Sequence, residues 1–162
     1  MMQDKIMPID IDAIRNDFPI LKEEVRGKWL VYLDSAGSSQ KPTQVIESLK
    51  RVYETEYSNV HRGLHYMSEQ TSARYEEARN KVAKFLNAEF DQEIIFTKGT
   101  TESINLVASS FGRKNLGPDD EILITWAEHH SNIIPWQLLR DQVGCEIKVV
   151  PVDDDGGITV ES

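Results

Sequence analysis

The sequence predicts an α/β chain, helical in its front half and alternating strand with helix in its back half. Three observations carry this prediction. Strand-type runs at 93–97, 122–126 and 145–150 recur about every 25 residues, the spacing of βαβ units with parallel crossovers. Apolar residues at helical spacing fill the intervals between them. Ahead of residue 90 the helical stripes dominate, and only 29–33 reads as a strand.

Taken in order, residues 10–18 predict a short helix. Asp10 or Asp12 caps its start, and Phe18-Pro19 stops it because the residue before proline disfavours helical backbone. The run 29–33 predicts a strand, followed by the small and polar stretch 34–41. Pro42 suits the first turn of a helix whose stripe is Val45, Ile46, Leu49, Val52, Tyr53 and Tyr57. After the loop 60–65, a long helix spans about residues 68–87. Its apolar face is Tyr75, Ala78, Val82, Phe85 and Leu86, with Glu76, Glu77, Arg79 and Lys81 toward water. A buried-type strand at 93–97 leads into a helix opened by Thr100-Thr101 and continued over 103–111. A strand at 122–126, a helix over 131–143 stopped by Gly144, and a strand at 145–150 complete the pattern. A turn at 153–157 feeds 158–160, where another strand begins; the ending there reads as an interruption.

The composition is that of a soluble globular chain of 162 residues, 40% hydrophobic and 28% charged. Its 18 lysines and arginines against 27 aspartates and glutamates leave a net charge of −9. That balance offers no footprint for a nucleic-acid backbone or an anionic membrane. One cysteine, Cys145, excludes an internal disulfide and any multi-cysteine metal centre, and reads as a small core residue. No apolar run reaches the roughly 20 residues of a membrane helix. The opening residues lack a secretory core, so the expected compartment is the cytoplasm.

In an open parallel sheet, ligands bind beyond the carboxyl ends of the strands, in the strand-to-helix loops. Two such loops are predicted. Thr97-Lys98-Gly99-Thr100-Thr101-Glu102 places a glycine and two hydroxyls at a helix start, where free N–H groups and the dipole favour a phosphate. An ordinary threonine cap explains the same residues. Ala127-Glu128-His129-His130-Ser131-Asn132 carries two adjacent histidines, of which one is expected to face a shared crevice and the other to point elsewhere. An imidazole there can stack on a planar ring and move protons near neutrality; a surface or capping pair is the plainer alternative. His61 and His65 are four apart, but Gly63 between them argues for a loop, and no metal site is predicted.

Five segments in register resemble the Suf-type (group II) cysteine desulfurases of the class V aminotransferase family. They are Tyr32-Leu33-Asp34-Ser35-Ala36, Gln40-Lys41-Pro42, Val60-His61-Arg62-Gly63-Leu64-His65, the run 99–107 from Gly99-Thr100-Thr101, and the run 128–136 from Glu128-His129-His130. The resemblance implies the N-terminal part of the pyridoxal-phosphate-dependent transferase fold type I, three-layered with a mostly parallel sheet that is incomplete in this chain. It implies an N-terminal helical and extended segment over 1–66, and the first part of the large cofactor-binding domain over 67–162. It implies pyridoxal phosphate as cofactor, held by Gly99, Thr100 and Thr101, with His129 stacking on its ring and assisting proton transfer. Ala36, Gly37 and His61 would lie on the substrate side, and Arg62 near a homodimer interface. Gly37 stands where the family usually shows alanine.

The implied reaction takes sulfur from L-cysteine, leaving L-alanine and a persulfide on an enzyme cysteine, and passes that sulfur to an acceptor protein for iron–sulfur cluster assembly. The family's cofactor-linking lysine follows a histidine, and no His-Lys dipeptide occurs here. Its D-x-A/G-Q pattern is absent, and Cys145 does not match its persulfide cysteine. The chain alone is therefore expected to be inactive. Two alternatives stay open from sequence: another class V enzyme, such as a selenocysteine lyase, and a truncated, non-catalytic binding module.

Overall fold

The computed structural model describes residues 9–158, so the readings of residues 1–8 and of the strand beginning beyond 158 lie outside the described residues. The chain divides into two compact units, residues 1–91 and 92–162.

The first unit is mainly helical. Helix α1 (Ile11–Asn16) starts where Asp10 Oδ1 accepts the Ala13 N–H at 3.0 Å, which satisfies one orphan donor of the first turn. A 3₁₀ turn at Pro19–Lys22 follows. The predicted strand over 29–33 is corrected. Strand β1 (Glu24–Val25) pairs antiparallel with β2 (Lys28–Trp29), and 30–33 belongs to no strand. The hairpin turns through Arg26 and Gly27, both at positive φ (55° and 72°), the geometry whose twist suits a two-residue connection. Helix α2 (Thr43–Arg51) starts after Pro42 and runs into a π-helical turn at Val52–Glu56. The Thr43 amide and hydroxyl both donate to Asp17 O, at 2.7 and 3.0 Å, tying α2 to the end of α1. Helix α3 (Tyr66–Leu86) ends on Asn87 in the left-handed conformation. The stripe along α2 is there as predicted, yet Val45, Ile46, Leu49, Tyr53 and Tyr57 are all exposed.

The second unit is the α/β part. Helix α4 (Thr100–Val107) passes through a π-helical turn at Ala108–Gly112 into the single turn α5 (Arg113–Asn115). Strand β3 (Glu121–Thr125) and strand β4 (Glu146–Val150) pair in parallel, Glu121 opposite Glu146 through Thr125 opposite Val150, with helix α6 (Ile134–Val143) as the crossover. Gly144 at φ 83° ends α6 as predicted. Ile94, Ala108, Ile124, Leu139 and Cys145 form the buried core, Cys145 at 2% exposure. Gly112 has a packing reason: a Cβ there would collide with Leu139 Cδ2, so α6 reaches the helical segment only over a bare backbone.

Among the described residues the predicted run 93–97 does not pair beside β3 or β4. A 3₁₀ turn covers Asp91–Glu93, and 94–97 joins neither sheet.

Candidate active site

The glycine loop ends in an open helix start. Gly99 is the N-cap of α4 and has no side chain to offer the first-turn amides. The loop is closed from outside the first-turn donors: Glu102 Oε2 accepts the Lys98 N–H at 2.6 Å, and Thr97 and Ser103 hydroxyls meet at 2.7 Å. Nothing lies within 4 Å of a Cβ position at Gly99, which leaves room for a ligand to approach the backbone. Lys98, Gly99, Thr100, Thr101, Glu102 and Asn105 line this open cleft of about 430 Å³.

The histidine loop follows β3 and is braced by its own side chains. Glu128 accepts from the Thr125 hydroxyl at 2.9 Å and from Asn132 Nδ2 at 2.8 Å; Asn132 Oδ1 in turn accepts from Trp136 Nε1 at 2.8 Å. The bond from Asn132, then that from Thr125, holds the Glu128 carboxyl below the usual carboxylate range. His129 Nδ1 accepts the Ser131 N–H at 3.1 Å and lies 3.0 Å from the Ser131 hydroxyl. With Nδ1 so engaged, the neutral imidazole carries its proton on Nε2.

The two loops share a wall. His129 and Thr101 line one cleft of about 310 Å³ together with Asn105, Ile134 and Pro135, and Thr101 and Asn105 also line the glycine-loop cleft. His130 lines it as well, which corrects the expectation that it points elsewhere. His129 is extended and the 3₁₀ turn starts at His130, so the rings stand perpendicular with centroids 6.0 Å apart, both at the cleft. An uncapped helix start beside an accessible imidazole suits a phosphate monoester attached to a planar ring.

The remaining predicted residues lie in the first unit. Ala36 and Gly37 sit in an exposed turn closed by the Gly37 and Ser38 amides on Asp34 O, at 3.2 and 3.1 Å. A Cβ at Gly37 would stand 3.1 Å from both Asp34 carboxylate oxygens, so the glycine relieves a close contact there. Arg62 is exposed, and its amide donates to Val60 O at 3.0 Å. His61 holds a left-handed backbone (φ 65°) and its Nε2 meets Glu76 Oε1 at 2.7 Å. His65 instead caps α3 through the Ser68 N–H. The two histidines thus serve different ends, and no group of three or more metal-ligating side chains occurs among the described residues.

Sequence reasoning missed two sets of supporting residues. Glu128, Asn132 and Trp136 brace the histidine loop; their spacing of four residues was the available signal. Ser68, Ser72 and Glu76 on one face of α3 hold the His61 loop, and Glu76, expected to face water, bonds to it. A polar stripe at i, i+4, i+8 beside the apolar face would have pointed to them.

The family profile described as aminotransferase class-V matches residues 31–162. A cysteine desulfurase of Synechococcus elongatus is 49% identical over 152 residues, covering 94% of this chain and 24% of that protein. The cysteine desulfurase of Pectobacterium atrosepticum is 49% identical over 154 residues, 95% of this chain and 38% of its own length. The apo structure of a cysteine desulfurase from Thermococcus onnurineus NA1 superposes with a TM-score of 0.83 at 36% identity, covering 96% of this chain and 36% of that one. The chain thus spans between a quarter and two-fifths of the length of these relatives. With the family match over most of its length, the parallel β3–β4 unit and the loop pair of Gly99 and His129, this chain belongs to the class V aminotransferases.

Proposed function

We propose that the chain is the N-terminal portion of a pyridoxal-phosphate-dependent cysteine desulfurase of the Suf type. The observation that carries this reading is the cleft shared by Thr101 and His129, at an uncapped helix start. The overall reaction is balanced as L-cysteine plus an enzyme thiol giving L-alanine plus the enzyme persulfide. Pyridoxal phosphate, when bound, supplies an electron sink for the carbanion at the substrate's Cα.

The chain's own residues supply binding and orientation. The first-turn amides of α4 and the hydroxyls of Thr100 and Thr101 would hold the phosphate, beside the open space at Gly99, and His129 would lie against the ring. Its Nδ1 is committed to the Ser131 amide, so Nε2 is the atom that holds or moves a proton. Ala36, Gly37 and His61 lie toward the substrate, and Arg62 toward the partner subunit of a homodimer. Residues 67–162 belong to the large cofactor-binding domain of the complete enzyme. Delivery of the sulfur to an acceptor protein, for iron–sulfur cluster assembly in the cytoplasm, completes the proposal. Among the described residues no helix is long and apolar enough to cross a membrane.

The test is a titration of the chain with pyridoxal phosphate followed by nuclear magnetic resonance. The expected outcome is movement of the Gly99, Thr100, Thr101 and His129 signals together, abolished in a Thr100→Ala/Thr101→Ala double variant. Movement confined to lysine side chains would refute the site.

A further inference from the structure

A polar stripe along α3 templates the loop that carries His61. Three residues one turn apart face it. Ser68, 1% exposed, donates its hydroxyl to Asn59 O at 2.8 Å and accepts the Gly63 N–H at 3.1 Å. Ser72 Oγ accepts the His61 N–H at 2.7 Å. Glu76 Oε1 meets His61 Nε2 at 2.7 Å. A Cβ on Gly63 would collide with Ser68, so the loop approaches the helix closely enough only with glycine there.

The ring of His61 is fixed on two sides. Its edge meets the Tyr75 ring with centroids 5.6 Å apart and planes 86° apart, while Glu76 takes Nε2. Glu76 is itself held: its second oxygen accepts from Arg79 Nε at 3.0 Å, and the Arg79 guanidinium lies 5.1 Å from the Tyr75 ring centroid. A non-glycine residue at φ 65° is uncommon and persists where its surroundings over-determine it. Here the surroundings are these side chains, all from α3.

We propose that Glu76 is the positioning residue of His61, holding its imidazole through Nε2 in one orientation on a left-handed backbone, with Arg79 fixing the carboxylate. The bearing of this on catalysis rests on the reading of His61 as a substrate-side residue. The positioning itself does not. Partial desolvation raises the Glu76 carboxyl, but the bonds from His61 and Arg79 outweigh it and leave it below the usual range, as a committed acceptor is expected to be.

The experiment measures His61 in the 162-residue chain by nuclear magnetic resonance, through cross-peaks between its imidazole protons and the Tyr75 ring and through its ring ¹⁵N pattern. In the wild-type chain the cross-peaks are expected with a single tautomer protonated at Nε2. Glu76→Ala removes the acceptor, and Glu76→Asp withdraws it by one methylene while keeping the charge on the helix. Both are expected to weaken the cross-peaks several-fold, and Glu76→Gln, which keeps an acceptor oxygen at the same reach, to restore them. Glu77→Ala, one position away and paired with Lys81, is expected to leave His61 unchanged. Should the alanine variant fail to fold, the aspartate variant decides. Wild-type cross-peaks in that variant, or equal loss in Glu77→Ala, would overturn the proposal. In the complete enzyme Glu76→Ala is expected to raise KM for L-cysteine several-fold more than it lowers kcat. Unchanged kinetics together with a freed His61 ring would refute the substrate-side reading and leave the positioning intact.

Discussion

The loop around His61 takes its hydrogen bonds from side chains on a helix that begins after it, whereas the loop around His129 is braced by bonds spanning two to four residues. The contacts that fix His61 reach 11 and 15 residues along the chain. The difference sets what each histidine depends on. His129 needs only its own strand end and helix start; His61 needs α3 formed in register, so that Ser68, Ser72 and Glu76 present one face. A loop braced locally can survive in an incomplete chain, while a templated loop reports on the helix beside it.

The largest expected effect concerns what neither loop contains. Neither supplies a lysine matching the family's cofactor-linking residue or a cysteine matching its persulfide acceptor, and Cys145 is buried in the core. Release of L-alanine from L-cysteine by the 162-residue chain with added pyridoxal phosphate is expected to equal a protein-free control. Turnover above that control would place catalytic groups inside this chain. Next in size, His129→Ala in the complete enzyme is expected to lower kcat about 100-fold or more, the scale of a lost general acid–base group. A loss in pyridoxal phosphate affinity with kcat preserved would reduce His129 to a packing surface.

How far each loop was legible in the sequence follows from the same contrast. The start of α1, the stop at Gly144 and the β3–α6–β4 order depend on residues near one another, and they are where the pattern put them, whereas α6 begins at Ile134, after a 3₁₀ turn at His130–Asn132, and not at 131. The hairpin at residues 24–29 was missed because its signal is one dipeptide, Arg26-Gly27, both at positive φ. The run 93–97 has the composition of a buried strand, and among the described residues it pairs with neither β3 nor β4. Helical period alone places Glu76 in water. Periodicity separates apolar from polar faces, but it cannot say that a loop will come to lie on part of the polar one. The histidine loop was legible because it follows β3, where a parallel sheet opens on one side, and the glycine loop because Gly99-Thr100-Thr101 marks the start of α4.

An intermediate effect isolates the templated loop. Gly63→Ala introduces a Cβ that meets Ser68 at its Cβ and Oγ, where Ser68 is buried and bonded to Asn59. Overpacking of this kind costs about 1–3 kcal/mol. The loss should appear as faster amide exchange at His61 and Gly63, with Ser131 and Asn132 unaffected. Equal protection at His61 in the variant would show that the loop can move off α3 at no cost.

The smallest expected effect separates the two carboxylates that anchor the loops. Both are held below the usual carboxylate range: Glu76 because the His61 and Arg79 bonds outweigh its desolvation, Glu128 by neutral donors, Asn132 first and then Thr125. A carboxyl whose folded value is depressed contributes stability that is complete above its unfolded value and is lost as pH falls through the folded one. Acid should therefore loosen both loops, each in the window between the ordinary carboxylate range and its own lowered value. Salt should not treat them alike. The Arg79–Glu76 pair is ionic and partly exposed, so ions screen it, whereas a hydrogen bond from an amide or hydroxyl carries no net charge on the donor side to screen. Amide exchange at near-neutral pH, compared between low salt and about 1 M salt where the screening length is about 3 Å, is expected to rise modestly at His61 and to stay constant at Ser131 and Asn132. Equal response at both loops would mean that the Ser72 and Ser68 hydroxyls hold the His61 loop without help from the charge pair. Glu76 would then orient the ring alone, and the backbone at φ 65° would owe its conformation to serines one and two turns earlier on the same helix.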